Sequence, residues 1–290
     1  MSNNLIIIGN GFDLHHGMKT SYSDYREFLN KTGNENIVNL FEENFEHVDK
    51  SVLWNELESR IGYINYENAL IYLKSYGDEN WKDSYHHDFQ QEVSRLAGYW
   101  PGIKTNLINW VKTIQYTKQK DNLKKIIDNK SMFLCFNYTN TLEKLYSVEK
   151  RNINYIHGDY SKDNELIFGH NNFEKVFDWN IDGNEDEDIR LIEAGEYMEE
   201  LRKDSLKQTK KIINKNRTFY DKVKNSKPER IYILGLSYND IDYVYIEHIN
   251  RIFNGKWFFA YYTDEDQIGA DIYAERMGLK NYSLIKYEEI

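Results

Sequence analysis

The sequence predicts an α/β protein: a Rossmann-like, predominantly parallel sheet carrying a large helical insertion. Three observations point there. Several short apolar runs stop on Gly, Asn or His; amphipathic helical patterns lie between them; and a long strand-free stretch separates the first run from the second. A run of four to six apolar residues bounded by turn residues marks a strand buried on both faces. Strands that alternate with helices need crossover connections, and crossovers give parallel pairing.

Leu5-Ile6-Ile7-Ile8 is the first and central strand, ended by Gly9-Asn10-Gly11. Residues 22–128 follow as a mostly helical insertion, with three- and four-residue apolar spacing in Leu40, Phe41 and Phe45 and in Leu53, Trp54, Leu57 and Ile61. No proline-rich linker or low-complexity tract sets this stretch apart, so residues 1–290 read as one domain whose core is 1–21 plus 129–290. Met132-Phe133-Leu134-Cys135-Phe136 is the second strand and ends on Asn137; Ile153-Asn154-Tyr155-Ile156 is the third and ends on His157-Gly158. Leu166-Ile167-Phe168 reads as a further strand, ending on Gly169-His170. Five acidic residues between Asp182 and Asp188 predict an exposed loop. Beyond it Leu206, Ile213 and Tyr220 recur seven apart, with Ile212 and Phe219 as a second row, which predicts one long or two shorter helices before Pro228. Three more strands are expected: Ile231-Tyr232-Ile233-Leu234, stopped by Gly235, then Trp257 to Tyr262, then Tyr282 to Ile285.

A chain of 290 residues, 40% of them hydrophobic, can bury a core without staples. Its single cysteine, Cys135, excludes an intramolecular disulfide and a cysteine zinc site. The pairs His15-His16 and His86-His87 are sequence neighbours, which do not converge from a helix, so no metal is expected. A net charge of -10 argues against non-specific nucleic-acid binding, which draws its affinity from neutralised phosphates. The basic runs Lys118-Gln119-Lys120 and 207–215 read as solvated helix faces. The opening residues lack the pattern of a signal peptide, and no apolar run approaches the roughly 20 residues that span a bilayer. A cytoplasmic protein with no membrane partner is the expectation.

The strand ends carry the polar residues that chemistry could use. In a parallel sheet Gly9 to Asp13, Asn137, His157, Gly169-His170 and Gly235-Leu236-Ser237 would share one rim, where open α/β sheets bind ligands. Gly9-Asn10-Gly11-Phe12-Asp13 could bring helix N–H groups up to a phosphate, although Leu14 replaces the third glycine of the dinucleotide fingerprint and no strand-ending acid follows about 20 residues later. Asp13 is either a carboxylate for a ribose hydroxyl or an acidic helix cap. His157 is either a general base or a structural histidine. Asn137 either orients water or a sugar hydroxyl, or is an ordinary turn residue.

Leu5 to Tyr25, Trp54-Asn55-Glu56-Leu57-Glu58, Phe136-Asn137-Tyr138-Thr139-Asn140-Thr141-Leu142-Glu143, Ile156-His157-Gly158, Phe168-Gly169-His170 and Gly235-Leu236-Ser237-Tyr238-Asn239-Asp240-Ile241-Asp242 stand in the order of the AbiH abortive-infection proteins of phage defence, which the whole chain resembles. More distantly the series is similar to sirtuin-like enzymes, and that resemblance implies Asn137 and His157 as a catalytic pair cleaving NAD between ribose and nicotinamide. It also implies a nucleotide-binding set of Gly9, Asn10, Gly11, Phe12, Asp13, His170, Gly235, Ser237 and Asp242, with the pyrophosphate at Gly9 and Gly11 and the adenosine towards Gly235 and Ser237. Thr139 departs from the Asp usual in that superfamily, and a single cysteine leaves no zinc module for protein deacylation. The implied function is a defence effector hydrolysing NAD or a related nucleotide, kept off until an assembly of copies or a phage-derived trigger releases it. Two alternatives stand beside it: a nucleotide sensor without turnover, and a nuclease with a metal on Asp13, Glu58, Asp240 and Asp242.

Overall fold

Among the described residues six strands pair in the order β3-β2-β1-β4-β5-β6, and every pair is parallel. They are β1 (Asn4–Ile8), β2 (Met132–Cys135), β3 (Ile153–Tyr155), β4 (Arg230–Leu234), β5 (Lys256–Tyr261) and β6 (Tyr282–Lys286). The computed structural model describes residues 4–61, 67–159, 166–172 and 188–290. The expected acidic loop, apart from Asp188, lies outside them.

The chain divides into two units. The first joins Met1–Ser21, Val111–Ile167 and Gln208–Ile290 and holds the whole sheet. Alternation along the strands explains how both faces are covered. Leu5, Ile7, Leu134, Ile231, Ile233 and Phe259 look towards one core, filled by Ile212, Tyr220, Val223, Tyr245, Ile249 and Tyr273 from the four helices between Thr209 and Arg276. Ile6, Ile8, Phe133, Cys135, Tyr232 and Leu234 look the other way, onto Phe12, Leu123, Leu142, Val148 and Tyr287. With Leu5 to Ile8 at 1% exposure or less, β1 is apolar on both sides because both sides are packed. Each such side chain contributes about 1.5–3 kcal/mol of transfer free energy.

The second unit joins Tyr22–Trp110 and Phe168–Lys207. Tyr25, Phe41, Trp54 and Tyr99 form an aromatic core, and helices Tyr85–Ala97 and Ile189–Asp204 pack through Phe89, Val93, Leu96, Ala194 and Met198.

Two expectations need correction. Leu166-Ile167-Phe168 is not a strand: the Ile167 N–H donates to the carbonyl of His157, and its own carbonyl accepts from the Tyr138 hydroxyl. Three residues bonded to a turn and a side chain build no ladder, so Gly169-His170 ends no strand of the sheet. The heptad row Leu206, Ile213, Tyr220 does not lie on one helix or two. Three helices, Ile189–Asp204, Thr209–Lys215 and Arg217–Ser226, cover the stretch, and Leu206 falls between the first two in a single bridge to His170.

Candidate functional site at the carboxyl rim of the sheet

The register sets Ile8 opposite both Cys135 and Leu234, so β2, β1 and β4 end level. The order of connection reverses between β1 and β4, the switch point at which open α/β sheets form a crevice.

At this point two glycine turns interlock. The Gly9 N–H donates to the Leu234 carbonyl at 3.0 Å and the Gly11 N–H to the Gly235 carbonyl at 2.8 Å. Gly235 has φ +66°, and a Cβ there would stand 2.1 Å from the Phe12 nitrogen; one on Gly9 would stand 2.5 Å from the Gly235 oxygen. Close approach of two backbones therefore explains these glycines. The N–H groups of Gly9, Gly11 and Phe12 are all engaged within the protein, the last with the Gly9 carbonyl. They are not presented to a phosphate, contrary to the cradle expected at Gly9 and Gly11. The Asn10 amide donates to the Thr20 carbonyl, Phe12 is core, and Ser237 is exposed.

Behind the interlock the rim holds a buried carboxylate. Asp13 is fully enclosed. Burial pushes its pKa from 3.8 up to about 6, against the lowering influence of Thr139 and, more weakly, of Thr141 and Asn137. Thr139 donates directly to Asp13 and receives a 3.1 Å bond from Thr141. Asp13 Oδ1 and Asn137 Nδ2 are buried without a hydrogen bond of good geometry, although the amide's polarity reaches the carboxylate. Asp13 is thus a charge on the edge of titration rather than a solvated helix cap.

His157 belongs to a second group. It is 2% exposed and ringed by Phe136, Tyr138 and Tyr245 at centroid distances of 5.4, 6.5 and 5.6 Å. Its Nε2 is 3.8 Å from Asp242 Oδ1, in the first turn of helix Asp240–Ile252. The two sequence-predicted catalytic residues follow adjacent strands, yet Asn137 joins Asp13 while Phe136 and Tyr138 on either side of it join His157. Local alternation of an extended chain produces that division.

His170 lies in the other unit. Its Nε2 is 3.1 Å from both the Arg202 carbonyl and the Ser205 hydroxyl, and its Nδ1 accepts from the Asn172 N–H. Burial lowers its pKa. Both ring nitrogens are occupied, and Gly169 permits the arrangement, since a Cβ there would meet the Ser205 oxygen at 1.8 Å. The four acids considered for a metal have separate partners: Asp13 with Thr139, Glu58 with Lys207 and Tyr22, Asp240 with Arg276, Asp242 beside His157. Among the described residues no group of three or more His, Cys, Asp or Glu is placed to hold a metal ion, and no helix is long and apolar enough to cross a membrane.

Sequence reasoning missed Thr141 as part of the Asp13 group. The alternation of small hydroxyl residues, Thr139 and Thr141, opposite an acid that follows the central strand was the available signal.

A family model described as bacteriophage abortive infection AbiH matches residues 5–261. The chain is a member of the AbiH family. The match takes in both groups just described, from Asp13 to Asp242. Neither a curated protein nor a solved structure gives a significant match to this AbiH chain. Family membership therefore supplies the role in abortive infection, and the chemistry has to be argued from the rim.

Proposed function

We propose that this AbiH protein is an abortive-infection effector that hydrolyses NAD, or a closely related nucleotide, at the bond between nicotinamide and ribose. The observation that carries the proposal is Asp13, an enclosed carboxylate with a pKa of about 6 in helix Asn10–His15, which follows the central strand, within reach of Asn137. Departure of nicotinamide develops positive charge on the ribose. A carboxylate held in a site that excludes water stabilises that charge far better than one in solvent, because little has to reorganise as the charge forms.

In the reaction the bond from ribose C1′ to the pyridinium nitrogen breaks, and its electron pair neutralises the departing nicotinamide. A water oxygen bonds to C1′ and gives up a proton. Asn137, with a buried amide donor to offer, orients the water or a ribose hydroxyl, and Asp13 faces the developing cation. His157 accepts the proton, with Asp242 nearby to favour the imidazolium. Thr139, where sirtuin-like enzymes carry an acid, donates to Asp13, so a carboxylate is supplied to that place from the β1 side. Because the Gly9 and Gly11 amides are engaged, the phosphates would have to be held elsewhere along the rim.

The test is nicotinamide release by purified protein, with a phage lysate as a source of trigger. Asn137→Ala and His157→Ala should each lower turnover by roughly 10²- to 10⁴-fold, and the double variant should lose much less than the product of the two, since residues acting as a unit are not additive. Full turnover in either single variant would remove the assignment. Nucleotide binding by a wild type that releases no nicotinamide under any condition would favour the sensor.

A further inference from the structure

The pair His15-His16 stays outside the chemistry above, and the two rings do different things. His16 is a strut, with Nδ1 2.7 Å from the Phe12 carbonyl and Nε2 2.6 Å from the Tyr146 hydroxyl. His15 faces away from that network into an aromatic corner. Its ring lies on Tyr287 at 4.4 Å and 32°, and Tyr262 meets it at 5.8 Å and 68°. Tyr287 is buried and its hydroxyl has no hydrogen-bond partner, so the backing ring is held by packing alone. Tyr262, the first residue after β5, is 65% exposed. An exposed tyrosine standing over a supported imidazole contributes little to the core and presents a flat apolar wall.

A cation stands beside this corner. Burial lowers the pKa of both imidazoles, that of His15 to about 4, and the nearby Lys120 charge adds to the lowering. The Lys120 backbone N–H donates to the same Tyr146 hydroxyl at 3.0 Å, which fixes the residue there. Lys120 makes no ion pair among the described residues. Of the three acids that open the helix after β5, Asp266 caps it by accepting from the N–H groups of Tyr262 and Thr263. At neutral pH His15 is therefore an uncharged ring, free to stack on a base and to hydrogen bond its edge.

We infer that Tyr262, His15 and Lys120 form a subsite for a purine nucleotide, the base stacking in the Tyr262–His15 corner and a phosphate meeting Lys120. Tyr262 directly follows β5, His15 ends the helix after β1 and Lys120 lies beyond helix Tyr99–Thr113; together they supply the two complements a nucleotide needs, a flat π face for the base and a cation for a phosphate. One lysine serves a single phosphate. A nucleic-acid strand would need several cations to gain affinity, and the chain as a whole carries -10. The inference rests on the nucleotide reading of the rim and says where one of the phosphates denied by Gly9 and Gly11 is received.

The test is calorimetric titration of the full chain with ADP and with adenosine, which is independent of turnover. Tyr262→Ala should weaken both by roughly tenfold, the usual loss for one stacked base, and Tyr262→Phe should restore most of it. Lys120→Gln should weaken ADP and leave adenosine unaltered. Tyr262 is exposed, so its variants should unfold at the wild-type temperature, and thermal unfolding checks that. Equal ADP affinity in wild type and Tyr262→Ala, or no ADP binding by wild type at millimolar concentration, overturns the subsite. ADP binding that responds to these variants, in a protein releasing no nicotinamide, retains the subsite and removes only the hydrolytic reading.

Discussion

Asp13 is where the energetics of the fold and the proposed chemistry conflict most. A carboxyl whose pKa rises from 3.8 to about 6 on folding holds its proton to higher pH in the native state than in the unfolded one. Its contribution to stability therefore falls as pH climbs from about 4 to about 6 and stays down above that, by about 3 kcal/mol at 1.36 kcal/mol per unit. Asp13→Asn keeps the shape without the charge. Urea unfolding should find that variant up to about 3 kcal/mol more stable than wild type at pH 7.5, with the gap closing by pH 4; a gap independent of pH would show that Asp13 is not titrating as described. The same substitution should abolish nicotinamide release, and the wild-type rate should fall on the acid side with an apparent pKa of about 6. Natural sites often retain such a cost because activity needs the destabilising group. His15 acts in the opposite sense: its pKa is lowered to about 4, so the stability that comes from keeping it neutral is lost as pH falls from about 6.5 towards 4.

At the level of elements, the interlocked turns after β1 and β4 make a sharp prediction. Gly235→Ala adds a Cβ 2.1 Å from a backbone nitrogen at a positive φ, so one of the two turns must move. A loss of roughly 3 kcal/mol or more is expected from denaturant unfolding, whereas Gly278→Ala, also at positive φ but with open space around it, should cost far less. The strands were legible because most are runs of apolar residues with a polar stop, Leu5 to Ile8 and Ile231 to Leu234 above all, while Asn154 and Ser283 interrupt β3 and β6. Leu166 to Phe168 misled because three apolar residues carry no period, and burial alone does not separate a strand from a packed loop. The glycines were legible as special and misassigned in purpose: sequence reveals that a Cβ is forbidden, not whether a phosphate or another backbone forbids it. Asn137 and His157 could be placed at strand ends, but their division between the Asp13 and Asp242 groups depends on side-chain alternation past the last ladder bond, where no pattern in the sequence extends.

Across the whole molecule the order β3-β2-β1-β4-β5-β6 makes β1 the strand with the most distant partners. It bonds to β2 on one side and β4 on the other, both far along the chain. Amides of β1 and its ladder partners in β4 should show the slowest hydrogen exchange, opening only with global unfolding, while β3 and β6 at the edges exchange sooner; mass spectrometry of peptic fragments would show it, and faster exchange in β1 than in β6 would contradict this sheet order. The sheet also imposes a timetable on synthesis. At about 5–20 residues per second, roughly 10 to 45 s separate the appearance of residue 4 from that of residue 230, with which it pairs. Throughout that interval β1, apolar on both faces from Leu5 to Ile8, lacks its neighbour on the β4 side. Asp13 emerges long before Asp242, so the two sides of the rim cannot meet until the chain between them has been made. A product cut short before β4 would carry the carboxylate and the asparagine but nothing to hold the turn after β1, so the arrangement of the strands ties assembly of the rim to synthesis of β4.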